Sequence, residues 1–169
     1  MQTRGRVLDF VRAYPGVHAR EVERRLSLTS RLANYHLGAL AEGGVLQRLD
    51  EAGYARYFPA LGHAKWNARD IRFLGLMRRP VALRLVVALL EGGELSHGEL
   101  ARSLRLPKTS ASYHLTMLEQ ADVLSVRTDG RHRFYQLADE DYVRGALVNF
   151  TPLPDDLESF EKVWHDLFG

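Results

Sequence analysis

A tandem internal repeat is the feature that most constrains how this chain folds. The segment Ala33-Asn34-Tyr35-His36-Leu37 returns 78 positions later as Ala111-Ser112-Tyr113-His114-Leu115, and this offset holds without a gap from Val7/Leu85 to Leu46/Leu124. Eleven of those forty aligned pairs are identical. Self-similarity of this kind predicts two copies of one structural unit. Farther on, pairing Tyr57-Phe58 with Phe134-Tyr135 changes the offset to 77, which predicts that the second copy lacks one loop residue.

Each copy has the pattern of three helices followed by a β-hairpin. In the first copy, apolar residues recur at helical spacing from Val7 to Tyr14, and Pro15-Gly16 ends the helix. A short second helix follows, and in the second copy Ser96 and Glu99 have the spacing of a capping box at its start.

The third helix is predicted to begin near Thr29 in the first copy and near Pro107 in the second. One of its faces is predicted to be buried, through Ala33, Leu37 and Leu40 or through Ala111, Leu115 and Leu118. The hairpins pair Val45–Leu49 with Tyr54–Phe58, and Val123–Arg127 with Arg131–Leu137. The predicted fold class is mainly α with small β-hairpins (α+β): two tandem winged helix-turn-helix domains plus C-terminal helices.

On these residues the second copy, from about Leu76 to Leu137, resembles the arsenic-repressor-like (ArsR-type) winged-helix regulators. The matching text is Glu99-Leu100-Ala101, Leu106 through Leu115, Leu118, Ala121 through Leu124 and Gly130 through Tyr135. The first copy is similar from Val7 to Phe58 but less complete, and the whole chain resembles the tandem winged-helix regulators common in archaea. The resemblance implies a sequence-specific, double-stranded DNA-binding transcription regulator. Cysteine pairs typical of ArsR-type metal sensors are missing, because the chain has no cysteine.

Base-reading side chains are expected on the exposed face of each third helix, because a major groove admits one α-helix. Arg31 suits guanine and Asn34 suits adenine. The predicted DNA-binding positions are Ser30, Arg31, Asn34 and Tyr35 in the first copy, and Lys108, Thr109, Ser112 and Tyr113 in the second. His36 and His114, at matching positions, are interpreted as hydrogen-bonded packing residues.

The two hairpins, or wings, differ in charge. The second carries Arg127, Arg131, His132 and Arg133 around Asp129-Gly130, a cationic tip predicted to contact the DNA backbone or a narrow minor groove. The first has Arg48 and Arg56 but places Asp50-Glu51 at its tip. The second domain is therefore the stronger candidate for wing contacts.

The predicted boundaries are 1–62 for winged-helix domain 1, 63–79 for a linker helix, 80–138 for winged-helix domain 2 and 139–169 for an acidic C-terminal helical segment. The linker helix would contain Trp66, with Arg69, Arg72, Arg78 and Arg79 on its outer faces, solvated or near phosphates. The next helix, from Pro80, is apolar nearly all round. Segment 139–169 holds two basic and eight acidic residues. Its apolar stripe from Leu157 to Phe168 favours a homodimer, the alternative being packing within one chain as a pseudo-dimer.

Composition excludes several function classes. The chain has a net charge of +2 and no cysteine, so thiolate metal sites and cysteine nucleophiles are impossible. It shows no phosphate-cradling glycine loop, metal-ligand spacing or nucleophile–base pair, which predicts a non-enzyme with no cofactor and no metal. Without an apparent signal peptide or membrane span, a cytoplasmic location is expected. The main alternative function is a tandem winged-helix protein–protein adaptor in a transcription or chromosome-organisation complex.

Overall fold

The computed structural model describes residues 2–51, 53–60 and 66–149. These residues form two compact units, one within Met1–Ile71 and the other within Arg72–Asn149. The architecture is mainly α with small antiparallel sheets, and each unit contains a helix-turn-helix followed by a hairpin. The predicted fold class is confirmed, whereas the predicted domain boundaries stay a prediction.

Unit 1 consists of three helices and one hairpin: α1 (Thr3–Ala13), α2 (Ala19–Leu26), α3 (Ser30–Glu42), β1 (Leu46–Glu51) and β2 (Tyr54–Pro59). Glu21 accepts a hydrogen bond from the His18 amide at 2.8 Å, and Thr29 caps α3 by accepting from the Leu32 amide at 3.3 Å. The core contains Val7, Val11, Val17, Val22, Ala33, Leu37, Leu40, Leu46 and Tyr57. The apolar residues that recur at helical spacing in the sequence thus face inward, as predicted.

Unit 2 repeats this order with added helices at both ends. In chain order the elements are α4 (Ala68–Met77, which runs across the boundary between the units), α5 (Pro80–Gly92), β3 (Leu95–Ser96), α6 (His97–Ser103), α7 (Lys108–Gln120), β4 (Leu124–Asp129), β5 (His132–Leu137) and α8 (Glu140–Asn149). The sheet has the order β3-β5-β4. Six side chains of α5 are buried, as its apolar composition predicts: Ala82, Leu83, Leu85, Val86, Val87 and Leu89. The helix α7 begins one residue after Pro107, which lies at the N-cap.

The repeat extends to individual backbone and side-chain contacts. Ser27 and Arg105, 78 positions apart, both adopt the left-handed conformation in the turn before the third helix, with φ of 54° and 52°. In each unit an arginine from the first repeated helix, α1 or α5, binds a carbonyl at the end of the next helix, α2 or α6. Arg6 donates to the Leu26 carbonyl at 3.3 Å and Arg84 to the Leu104 carbonyl at 2.8 Å. The two units are therefore comparable residue by residue.

The hairpins keep the offset of 78, so the predicted loss of one loop residue in the second copy is wrong. Arg48 pairs with Tyr57 in the first hairpin and Val126 pairs with Tyr135 in the second, and both hairpins close with two-residue loops. The error came from pairing Tyr57-Phe58 with Phe134-Tyr135, since Tyr57 is equivalent to Tyr135 rather than to Phe134. Gly53 is the second loop residue and Gly130 the first, and each takes a positive φ that favours glycine, 82° and 60°.

Two expectations about the linker are also wrong. Trp66 lies ahead of α4 rather than within it, where it packs against Phe58 at 5.0 Å between ring centroids and donates to the Pro59 carbonyl at 2.9 Å. In this position the indole ring packs against an apolar neighbour and its N–H has a hydrogen-bond partner, which an exposed position on a helix would not provide. Arg78, expected on an outer face, is only 5% exposed.

Within the described part of the chain, no helix combines the length and apolar composition needed to cross a bilayer. The same residues hold no group of three or more His, Asp or Glu side chains placed to share a metal ion. The apolar stripe from Leu157 to Phe168, on which the homodimer prediction rests, lies outside the described residues.

Candidate nucleic-acid interface

The helices α3 and α7 each bury one face and expose the face predicted to read DNA. In α7 the residues Ala111, Leu115 and Leu118 are fully buried. Tyr35 and Tyr113, on the opposite faces of α3 and α7, are each 60% exposed. All eight predicted residues on these two helices lie on the surface: Ser30, Arg31, Asn34, Tyr35, Lys108, Thr109, Ser112 and Tyr113. Their contacts with DNA stay a prediction.

In unit 2, neighbouring side chains hold two residues of this exposed face. The Nε2 atom of His97, the first residue of α6, lies 2.8 Å from the hydroxyl of Ser112. Arg79 donates a longer hydrogen bond, 3.4 Å, to the Tyr113 hydroxyl. Lys108 and Thr109 have no side-chain hydrogen bond or ion pair within residues 66–149 or the other described ranges. The sequence did not single out His97, since its partner lies 15 positions away.

In unit 1, the exposed face of α3 is partly occupied by contacts within the unit. The Ser30 hydroxyl donates to the Glu23 carboxylate at 2.8 Å, and the Asn34 amide donates to the Ser30 carbonyl at 2.8 Å. Arg31 has no side-chain partner in the parts of the chain that are described. A carboxylate therefore lies at the start of α3, whereas the corresponding residue in unit 2 is Ala101.

His36 and His114 pack beside these exposed tyrosines. Their rings lie edge-on to Tyr35 and Tyr113, with centroid distances of 5.2 and 5.1 Å. The expected hydrogen bond is missing at Nδ1, which in both residues is buried and without a partner among the described residues. Burial lowers the pKa of His114, and the nearby charge of Arg79 lowers it further.

Two arginines of the second wing are engaged by carboxylates. Arg127 makes hydrogen bonds of 2.7 and 3.1 Å to Glu94 and lies 4.4 Å from the centre of the Phe134 ring. Arg133 bonds both carboxylate oxygens of Glu119 at 3.0 Å. The hydrogen bond between them lowers the pKa of Glu94 and raises the pKa of Arg127. Two of the three arginines predicted to contact DNA at this wing are therefore already paired with carboxylates.

A cleft of about 580 Å³ joins α6, α7 and the second wing. Five predicted DNA-binding residues line it: Lys108, Ser112, Arg131, His132 and Arg133. Ser96, His97, Gly98, Arg102, Thr116 and Tyr135 complete its wall. Burial raises the pKa of Tyr135. Thr109, Tyr113 and Arg127 do not line the cleft. None of the described residues in its lining carries a carboxylate, so its field favours an anion.

The corresponding positions of unit 1 carry less positive charge, two arginines against three arginines and one lysine in unit 2. At the offset of 78 set by the hairpin register, Lys108 corresponds to Ser30 and Arg131 to Gly53. His132 and Arg133 correspond to Tyr54 and Ala55, Arg102 keeps its charge as Arg24, and Gly98 corresponds to Arg20. Near the tip of the first wing, Arg48 is paired with Asp50 at 3.2 Å. Attraction for a polyanion is therefore stronger at the cleft of unit 2.

Comparisons with known proteins match both units. One family model, described as an N-terminal HTH domain, matches residues 1–71, and another, described as a helix-turn-helix domain, matches residues 76–127. The uncharacterized HTH-type transcriptional regulator YdfF of Bacillus subtilis is 35% identical over 44% of this chain and 33% of its own length. The transcriptional repressor SdpR of the same organism is 37% identical over 32% of this chain and 60% of its own length.

Among solved structures, HlyU from Vibrio cholerae is similar with 27% identity and a TM-score of 0.44, over 48% of this chain and 87% of that one. This chain spans a third of YdfF and three fifths of SdpR. The chain thus contains two helix-turn-helix domains and is similar in part to transcription regulators.

Proposed function

We propose that this chain is a sequence-specific, double-stranded DNA-binding transcription regulator. In this proposal α7 enters the major groove, and the wing formed by β4 and β5 lies on the backbone or in the minor groove. The observation that carries the proposal is the cleft of unit 2, where Lys108, Ser112 and Arg131 converge beside an exposed polar helix face. The matched helix-turn-helix models and the regulator and repressor names of the relatives support the same role.

The two units contribute unequally. Unit 2 provides most of the contacts with the DNA backbone because its cleft is cationic. The helix α3 of unit 1 reads bases with Arg31, Asn34 and Tyr35 and adds few phosphate contacts. The chain acts as a tandem winged-helix protein within the predicted domain boundaries, as a cytoplasmic homodimer without catalytic activity. The adaptor alternative requires an apolar or acidic exposed face on the third helix. The polar and cationic face of α7 favours DNA instead.

A binding titration with labelled genomic duplex fragments tests the proposal. Selection and sequencing of the bound fragments should yield a preferred sequence, and affinity for it should fall steeply with salt. The variants Ser112→Ala and Asn34→Ala should relax that preference, since each removes a polar side chain from the exposed face of α7 or α3 that this proposal places against base edges. Gln2→Ala, at an exposed position outside the interface, is the control. Binding that is independent of salt and of sequence would contradict the proposal.

A further inference from the structure

A second cleft opens at the turn between α6 and α7. It has a volume of about 530 Å³ and is lined by Gly98, Ala101, Arg102, Arg105, Leu106 and Lys108. Gly98, Arg102 and Lys108 also line the wing cleft, so the two clefts are continuous. Neither has a carboxylate among the described residues of its lining. Together they form one cationic surface from the turn to the wing tip.

Four cations on this surface lack an ion pair with any described residue. Arg102 donates only to the Gly98 carbonyl, at 3.2 Å. Hydrogen bonds from Ser96 lower the pKa of Glu99, and the charge of Arg102 lowers it by a smaller amount. Arg105, Lys108 and Arg131 have no side-chain hydrogen bond or ion pair among residues that the structure describes. By contrast, Arg127 and Arg133, which lie on the same wing as Arg131, form ion pairs with Glu94 and Glu119.

We propose that Arg102, Arg105, Lys108 and Arg131 form the phosphate-binding track of unit 2, and that Arg127 and Arg133 serve mainly to brace the wing. This inference rests on the proposed DNA-binding function and names the residues that bind the backbone. A guanidinium paired with a carboxylate keeps free N–H donors, but its charge is already offset, so it attracts a phosphate less strongly than an unpaired cation does. The four unpaired residues therefore supply most of the salt-dependent part of the affinity.

The backbone at Arg105 adds an independent argument. Its φ of 52° lies in the left-handed region, which a residue with a Cβ adopts at a cost and which glycine adopts freely. The turn itself therefore does not call for arginine. The guanidinium at this position also lines the cleft without a partner in the described ranges, which is consistent with a role toward an external anion.

Unit 1 provides the internal comparison. Its turn has a cleft lined by Arg20, Glu21, Glu23, Arg24 and Leu28, in which carboxylates offset the arginines. Ser27 replaces Arg105 in the same left-handed conformation, and Ser30 replaces Lys108. The same backbone geometry thus occurs without the cationic track, so the track is not a requirement of the fold.

The test measures how the affinity of the full chain for a labelled duplex changes with salt concentration. The double variant Arg102→Ala/Arg105→Gly should reduce the slope of log Kobs against log salt by about 0.9 for each phosphate that the protein no longer neutralises. Glycine adopts the left-handed conformation of this turn freely. Thermal melting of the single variant Arg105→Gly, followed by circular dichroism, should therefore show a fold at least as stable as that of wild type. The matched variants Arg24→Ala and Ser27→Gly in unit 1 should leave the slope unchanged.

Charge-neutral removal of the wing ion pairs completes the test. Arg127→Gln/Glu94→Gln and Arg133→Gln/Glu119→Gln should each keep the wild-type slope. An unchanged slope in Arg102→Ala/Arg105→Gly, or an equal reduction in the ion-pair variants, would overturn the track while leaving DNA binding intact. A wild-type protein that binds no duplex at any salt concentration would overturn both the track and the proposed function.

Discussion

The two units have the same backbone plan but different electrostatics. Ser27 and Arg105 take the same turn conformation, and the two hairpins pair in the same register. At the surface they differ, since unit 2 presents Lys108 and Arg131 where unit 1 has Ser30 and Gly53. The comparison indicates that buried residues specify the helix-turn-helix fold, whereas a few exposed positions decide whether it attracts a polyanion.

The largest effect is predicted for substitutions in the core that the two units share. Leu37 and Leu115 occupy equivalent positions and are both fully buried. Each substitution by alanine should lower the free energy of unfolding by about 2–5 kcal/mol, because apolar burial is reduced and a cavity is left behind. Urea denaturation of Leu37→Ala and Leu115→Ala should give similar decreases. If one unit tolerates the change and the other does not, the units do not share a packing plan.

Exchanging one surface residue between the units should break their difference in charge. Lys108→Ser should weaken duplex binding by about tenfold, the effect of removing one charged hydrogen bond. The reverse change, Ser30→Lys, should strengthen binding by less than about twofold, because Glu23 lies close enough to pair with the new ammonium group. Fluorescence anisotropy at low salt measures both. Equal and opposite effects would show that the two third helices are equivalent in DNA binding.

A smaller effect is expected at His97, which we regard as a positioning residue for Ser112. A serine hydroxyl has one donor and two acceptor sites, so its contact with His97 fixes what it offers to a base. His97→Ala should reduce discrimination at one base pair by about fivefold, about 1 kcal/mol. His97→Gln, which keeps hydrogen-bonding capacity, should restore part of it. The readout is the ratio of affinities for duplexes differing at that base pair; an equal decrease in affinity for both duplexes would argue for a purely structural role.

The smallest prediction concerns pH. Burial and the charge of Arg79 lower the pKa of His114 below its ordinary value of 6.5, so below pH 6.5 the unfolded chain binds more protons at this site than the folded chain. The contribution of His114 to stability is complete above pH 6.5 and is lost as the pH falls toward the lowered pKa. Urea midpoints of wild type should therefore decline more between pH 7.5 and pH 5.5 than those of His114→Gln. Parallel declines would contradict this assignment.

Much of the fold could be predicted from the sequence because the repeat fixed equivalent positions and apolar spacing fixed the buried faces. Ala33, Leu37, Ala111 and Leu115 face inward as their spacing predicts. The offset within the hairpins was wrong because two adjacent aromatic residues, Tyr57-Phe58 and Phe134-Tyr135, can be aligned one position apart, and only the strand pairing shows that Tyr57 is equivalent to Tyr135.

The candidate site was less predictable because its electrostatics depend on pairs distant in sequence. Glu94 lies 33 positions from Arg127, and Glu119 lies 14 positions from Arg133. A count of charges in the wing therefore overstated its free positive charge. Arg102 and Arg105 were passed over for a related reason, since only the folded turn brings them into one cleft with Lys108.

The salt dependence of duplex binding tests the central claim, that unit 2 supplies the attraction for DNA, most directly. The double variant Lys108→Ser/Arg131→Gly gives unit 2 the residues found at the equivalent positions of unit 1. We predict that its slope of log Kobs against log salt is shallower than that of wild type by about 1.8, the value for two phosphates. A slope equal to that of wild type would contradict the account.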